Sequence, residues 1–139
     1  MDDIVIKELI NASILARKNS YCPYSHFAVG AACYTGNGKI YSGCNIENAS
    51  YPVGICAERC AVSKAVSEGD RKILAVAIAG GQEGGEVSFT YPCGFCRQFL
   101  REFNDPDKLE VIVATSTENY KVHKLSELLP ESFGPENLG

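Results

Sequence analysis

Helix-period and strand-type segments interspersed along 139 residues predict a layered α/β domain with about five strands. Three observations carry that expectation. Apolar residues recur at helical spacing near the N-terminus, continuous apolar runs of strand length occupy the middle, and Gly-, Pro- and Asn-rich breaks separate them. The length suits one domain, residues 1–139, with enough chain to bury a core and no room for a second.

Ile6, Leu9, Ile10 and Ile14 define the buried face of a first helix, which should end before Tyr21-Cys22-Pro23. Phe27 to Tyr34 and Lys39 to Cys44 read as two strands around Thr35-Gly36-Asn37-Gly38, where Asn-Gly suits the positive φ angles of a tight hairpin. A loop from Asn45 to Ile55 leads into a helix from Cys56 to Ser67. Its small residues Ala57, Ala61 and Ala65 allow close packing on a sheet, and Glu68-Gly69-Asp70 supplies its stop. Ile73 to Ala79 has the continuous apolar character of a strand covered on both faces. Gly80 to Gly85 lacks the Gly-Lys-Ser/Thr ending of a phosphate loop and reads as a flexible turn. Phe95, Phe99 and Phe103, with Leu100 between them, mark a helix face that reads as core and ends at Asn104-Asp105-Pro106. Leu109 to Thr115 and Tyr120 to His123 complete the strands, and Leu125 to Leu129 forms a short last helix before Pro130.

Composition narrows the function. A formal net charge of −4 gives no support to a polyanionic partner and disfavours DNA or RNA as substrate. No apolar run approaches the length of a membrane span, and Met1-Asp2-Asp3 is acidic where a signal peptide would be basic, so a cytoplasmic location is expected. Seven cysteines make an odd number, for which metal binding is a better use than a disulfide framework.

The chemistry concentrates in two short segments, Cys56-Ala57-Glu58-Arg59 and Pro92-Cys93-Gly94-Phe95-Cys96. By itself Cys93-x-x-Cys96 also reads as a redox dithiol or half of a structural zinc site. With Cys56 upstream there are three soft ligands for one zinc, leaving a fourth position open as in a catalytic site. Glu58, two residues from a ligand, is placed to take and return a proton. Cys60, one turn beyond Cys56, competes as a candidate ligand on spacing but reads as a packing residue. Cys56 begins one helix and Cys93 and Cys96 begin another, so the positive ends of two helix dipoles can offset thiolate charge. Arg59 adds a full positive charge there as a thiolate partner, against the plainer reading of a helix-surface arginine.

These segments match the pattern of zinc nucleobase deaminases, and over nearly its whole length the chain resembles the small homotetrameric cytidine deaminases. Four blocks carry the resemblance: Tyr24-Ser25-x-Phe27-x-Val29-Gly30-Ala31-Ala32, Gly43-Cys44-Asn45-Ile46-Glu47-Asn48, Cys56-Ala57-Glu58-Arg59, and Pro92-Cys93-Gly94-x-Cys96-Arg97-Gln98. The resemblance implies a three-layer α/β/α fold around a mixed sheet, one Zn2+ per chain on Cys56, Cys93 and Cys96, and Glu58 as the catalytic proton carrier. It implies that Asn45 and Glu47 hold the ribose 3′-hydroxyl, that Phe27 packs on the base, and that the Ala57 N–H meets the base carbonyl. The backbone carbonyl of Tyr91 would receive the leaving amine, although the family has a small hydroxylated residue there. Leu128 to Phe133 would place Phe133 over a neighbouring subunit's site. From residue type alone, Asn45 and Glu47 read as turn and surface residues and Phe27 as core.

The activity so implied is hydrolytic deamination of cytidine and deoxycytidine to uridine and deoxyuridine with release of ammonia, in pyrimidine salvage. The expected partners are a small nucleoside and three further copies of the chain, with no nucleic acid polymer and no membrane. A blasticidin S deaminase is the nearest rival enzyme, expected to lack the Asn-Ile-Glu-Asn block. A structural zinc or redox-thiol protein is the rival from another class.

Overall fold

The computed structural model describes residues 1–139. Helix α1 spans Asp3–Ala16, with Asp2 as its N-cap accepting the Ile4 amide at 2.9 Å, and a 3-10 turn Arg17–Asn19 follows. Strands β1 (Phe27–Thr35) and β2 (Ile40–Cys44) form a hairpin, then α2 (Ala57–Ser67) returns the chain to β3 (Ile73–Gln82). Helix α3 (Gly94–Arg101) crosses over to β4 (Glu110–Ser116), which pairs with β5 (Asn119–Lys124) before the short α4 (Leu125–Leu128).

The five strands make one mixed sheet in the order β2-β1-β3-β4-β5, with β3 and β4 parallel and the other pairs antiparallel. Alternation along the strands separates two apolar layers. Ala31, Cys33, Val76, Ile78, Val111 and Val113 face α2 and α3, and meet Ala57, Ala61, Val62, Ala65 and Leu100. Ala32, Ala75, Ala77, Ile112 and Ala114 face the other way, onto Ile6, Leu9 and Ile10 of α1. The expected three-layer α/β/α arrangement around a mixed sheet is therefore present, and no helix is long and apolar enough to cross a membrane.

The structure revises three local expectations. The β1–β2 turn carries a positive φ only at Gly38 (78°), so Asn37 stays on the ordinary side. The Gly38 amide donates to the Thr35 carbonyl at 2.9 Å and the Thr35 amide to Lys39 at 3.0 Å, which makes a turn ending in a bulge and not a two-residue hairpin. Gly80 and Gly81 are not a flexible turn: they lie within β3, paired with Val29 and Ala28. Their missing side chains are a packing requirement, since a Cβ would collide with the Thr90 side chain at Gly80 and with the Glu86 carbonyl at Gly81. The turn proper begins at Gln82, whose carbonyl accepts the Gly85 amide at 2.8 Å. The aromatic repeat on α3 is split. Phe99 and Phe103 pack on the core, but Phe95, on the first turn, is 79% exposed.

Candidate metal centre and active site

Helices α2 and α3 lie on the same face of the sheet, and Cys56 and Cys93 occupy their N-cap positions. Neither side chain makes a capping hydrogen bond to its helix, so both sulfurs remain available as ligands while they sit at the positive ends of the helix dipoles. Cys96, one turn into α3, is buried and completes the set: the three sulfurs lie within 4.8 Å of one another.

The three thiols fit a zinc ion. A tetrahedral site with Zn–S bonds near 2.3 Å requires ligand sulfurs about 3.8 Å apart, and Cys56 Sγ and Cys93 Sγ are separated by 3.8 Å. Arg59 lies beside them, its Nη2 3.6 Å from Cys56 Sγ and its guanidinium 6.0 Å from the Phe95 ring centroid. The Arg59 Nε is buried without a hydrogen-bond partner, an unused donor on the same guanidinium whose Nη2 meets Cys56. Without a metal, Cys56 is lowered to about 5, first by the hydrogen bond from Cys96 and then by Arg59 and Cys93. Cys96 is driven the opposite way because it keeps the shared proton and is buried. A dication would replace that proton.

Glu58 follows on the first turn of α2, 4% exposed and lining the cavity with the cysteines. Burial is the main cause that raises its carboxyl to about 7, with Cys56 charge adding to it. That value suits a group exchanging protons near neutral pH. Ala57, the first residue of α2, presents a backbone N–H without an intrahelical acceptor on the same cavity.

The cavity has a volume of about 960 Å³ and is bounded opposite the cysteines by the loop after β2. Asn45 is locked there by β1: its Oδ1 accepts the Val29 amide at 3.0 Å and its Nδ2 donates to the Phe27 carbonyl at 2.8 Å. The Glu47 carboxylate accepts the amides of Tyr24 at 3.0 Å and Ser25 at 3.1 Å, and also the Ser25 hydroxyl. These bonds, that from the Ser25 hydroxyl first, hold its pKa below the usual range. One N–H on Asn45 and one acceptor site on Glu47 remain, a pair matched to a hydroxyl group.

Tyr91 lines the rim, its hydroxyl 3.3 Å from His123 Nε2 on β5. Phe27 and Phe133 do not line this cavity. Phe27 is half-buried at the start of β1 and reaches the site through its carbonyl on Asn45, while Phe133 is 58% exposed on the C-terminal segment. Cys60 stands apart from the sulfur cluster, and Cys22 and Cys33 are buried elsewhere. The sequence did not single out Tyr51, Ile55 or Thr90, which also line the cavity. They come from loops whose apolar residues carry no periodicity, and only their proximity to the motifs could have marked them.

Residues 4–114 match the family model described as the cytidine and deoxycytidylate deaminase zinc-binding region. A probable cytidine deaminase of Dictyostelium discoideum is 41% identical over 138 residues, covering 99% of this chain and 90% of the relative. The cytidine deaminase of Sporosarcina psychrophila is 42% identical over 133 residues, covering 96% and 94%. The crystal structure of cytidine deaminase from Burkholderia pseudomallei superposes with a TM-score of 0.80 at 41% identity, over 91% of this chain and 97% of that one.

Proposed function

Because this chain belongs to the cytidine and deoxycytidylate deaminase family, we propose that it hydrolyses cytidine and deoxycytidine to uridine and deoxyuridine, releasing ammonia. The observation that carries this reading is the convergence of Cys56, Cys93 and Cys96 with a buried Glu58 on one cavity. A structural zinc site would need neither the cavity nor the carboxylate, and a redox dithiol would need no third sulfur.

Cys56, Cys93 and Cys96 would hold the zinc, with Arg59 and the two helix N-termini balancing the thiolates. The ion would supply Lewis acidity at its open position, bringing the pKa of a water there toward neutrality. Glu58 takes a proton from the attacking water and passes it to N3 of the cytosine ring as the oxygen adds to C4; it then takes the second proton from the new C4 hydroxyl and delivers it to the amine, which leaves as ammonia while the C4=O bond forms. Its burial keeps bulk water from competing for that proton and puts its pKa in the working range. The Ala57 N–H orients the base through its carbonyl oxygen, and the Tyr91 carbonyl accepts from the amine as it leaves.

Asn45 and Glu47 use their remaining donor and acceptor on the ribose 3′-hydroxyl, fixing C4 over the site through the sugar. Both groups are already immobilised by β1 and by the Tyr24-Ser25 backbone, so little order is lost on binding. Phe27 acts at the base end of this arrangement. Phe133, absent from its own chain's cavity, serves that of a neighbour within a homotetramer. The enzyme is assigned to pyrimidine salvage in the cytoplasm.

Zinc analysis combined with a spectrophotometric assay on cytidine, deoxycytidine, cytosine and blasticidin S tests the whole reading. About one zinc per chain with turnover of the two nucleosides alone is expected. Turnover of blasticidin S alone, or no turnover with full zinc, would overturn it.

A further inference from the structure

Arg101, on the last turn of α3, carries a side chain that is 9% exposed, and its hydrogen-bond partners lie far along the chain in the C-terminal segment. Its Nε donates to Ser132 Oγ at 2.7 Å and its Nη2 pairs with the Glu136 carboxylate. Gly134 is buried against the same guanidinium, so closely that a Cβ there would overlap Cζ and both terminal nitrogens. One turn earlier, Gln98 lines the substrate cavity and donates from Nε2 to the Phe133 carbonyl at 2.9 Å. Arg97 spans from the Pro92 carbonyl, next to Cys93, at 2.7 Å to the Leu128 carbonyl at 2.8 Å.

The segment after Pro130 would otherwise fray. Instead it is wrapped around a buried charge, which is stable only because it is paired. The backbone on both sides of Phe133 is thus fixed while its ring stays 58% exposed. Nothing within the same chain gains from anchoring the backbone so that a large apolar ring stands in water. The open cavity offers a matching surface, since Tyr51, Val53 and Phe95 beside it are 74%, 66% and 79% exposed.

We propose that Arg101 is a positioning residue that holds Phe133 ready to complete the substrate cavity of a second copy of this chain. The proposal rests on the shared-site reading above. Ordering the backbone that carries the ring before two copies meet removes that segment's conformational entropy from the cost of closing the cavity. Loss of the clamp should therefore weaken substrate binding and leave the zinc and the proton transfers at Glu58 intact.

The test uses zinc-loaded full-length enzyme as wild type, Arg101→Gln, Gly134→Ala, Phe133→Ala and the Arg101→Gln/Phe133→Ala double variant. KM and kcat for cytidine are measured well below the melting temperature, with zinc content and light-scattering mass. Arg101→Gln and Phe133→Ala should each raise KM roughly tenfold with kcat changed less than about threefold, and the double variant should match Phe133→Ala alone, because both changes remove one interaction. Gly134→Ala, which keeps the arginine and displaces it, should reproduce Arg101→Gln and stands in for it if Arg101→Gln does not fold. A role confined to stability would lower the melting temperature and leave KM unmoved. If Phe133→Ala raises KM while Arg101→Gln and Gly134→Ala do not, or if the effects of Arg101→Gln and Phe133→Ala multiply, the positioning role is wrong and the shared site stands. If Phe133→Ala leaves KM unchanged, the shared site falls and the positioning role with it.

Discussion

Cys60 packs against Gly43 of β2, so closely that a Cβ at Gly43 would stand 2.8 Å from the Cys60 sulfur. One turn separates Cys60 from Cys56 on α2, yet the thiol is committed to the helix–sheet contact and is absent from the sulfur cluster. Cys60→Ala should therefore keep its zinc. Replacing Cys56, Cys93 or Cys96 by Ala should lose it, because two thiols and a water make a far weaker site. Metal analysis after dialysis checks this, and a zinc-free Cys60→Ala beside a zinc-loaded Cys56→Ala would reverse the ligand assignment.

Glu58→Gln keeps the size of the side chain and removes its ability to carry a proton. Positioned proton transfer contributes about 10² to 10⁴ in rate, and in the proposed mechanism one carboxylate serves the water, N3 and the amine. The loss in kcat should reach or pass the upper end, with zinc retained. Near-normal turnover in a fully loaded variant would assign the acid–base work to another group.

The same carboxyl makes the metal-free protein sensitive to pH. Burial raises Glu58 from 4.5 to about 7 in the folded chain. The unfolded state therefore releases this proton first as pH rises. Stability from Glu58 is complete below pH 4.5 and is lost as pH climbs through about 7, by up to about 3 kcal/mol. In EDTA-treated samples, denaturant midpoints of Glu58→Gln should exceed those of wild type at pH 8, with the difference shrinking toward pH 5. A gap that does not change with pH would refute this linkage.

Glu47→Ala should reduce kcat/KM for cytidine by roughly 10² or more, the scale expected when a reacting atom is misplaced by about an ångström. Part of the effect comes from freeing the Tyr24 and Ser25 amides that the carboxylate holds. Free cytosine should be a very poor substrate of the wild type. Equal turnover of cytosine and cytidine would remove Asn45 and Glu47 from the sugar.

Four times the chain mass is expected by light scattering at micromolar concentration. A fully active monomer would be incompatible with Phe133 serving a neighbour's cavity.

The helices were legible because one buried face imposes a period, and the central strand because burial on both faces leaves an unbroken apolar run. The alternation of Ala31 and Cys33 with Ala32, and of Val76 and Ile78 with Ala75 and Ala77, marks two covered faces. The three sulfurs and Glu58 were legible because metal ligation and proton transfer restrict residue type so strongly that short spacings suffice. Gly80 and Gly81 were misread because glycine signals a turn and a tight approach alike, and only the distant Thr90 and Glu86 tell them apart. Phe95 falls outside the core because spacing fixes a helix face but not which part of that face is covered, and its ring lines the open cavity instead. The Arg101 clamp had no local signature, since its partners lie 31 and 35 residues away.

The parallel pairing of β3 with β4 has a consequence for how the protein comes into being. Parallel neighbours cannot be joined by a tight turn, and the connection between them contains α3 and with it Cys93 and Cys96. Cys56 lies before β3 and Cys93 and Cys96 after it, so the three sulfurs form a preorganised site only once α2 and α3 have docked on the same face of the sheet. Tight zinc uptake during refolding would then report the docking of α2 beside α3, and a chain in which that contact has not formed would hold the ion no better than a loose dithiol.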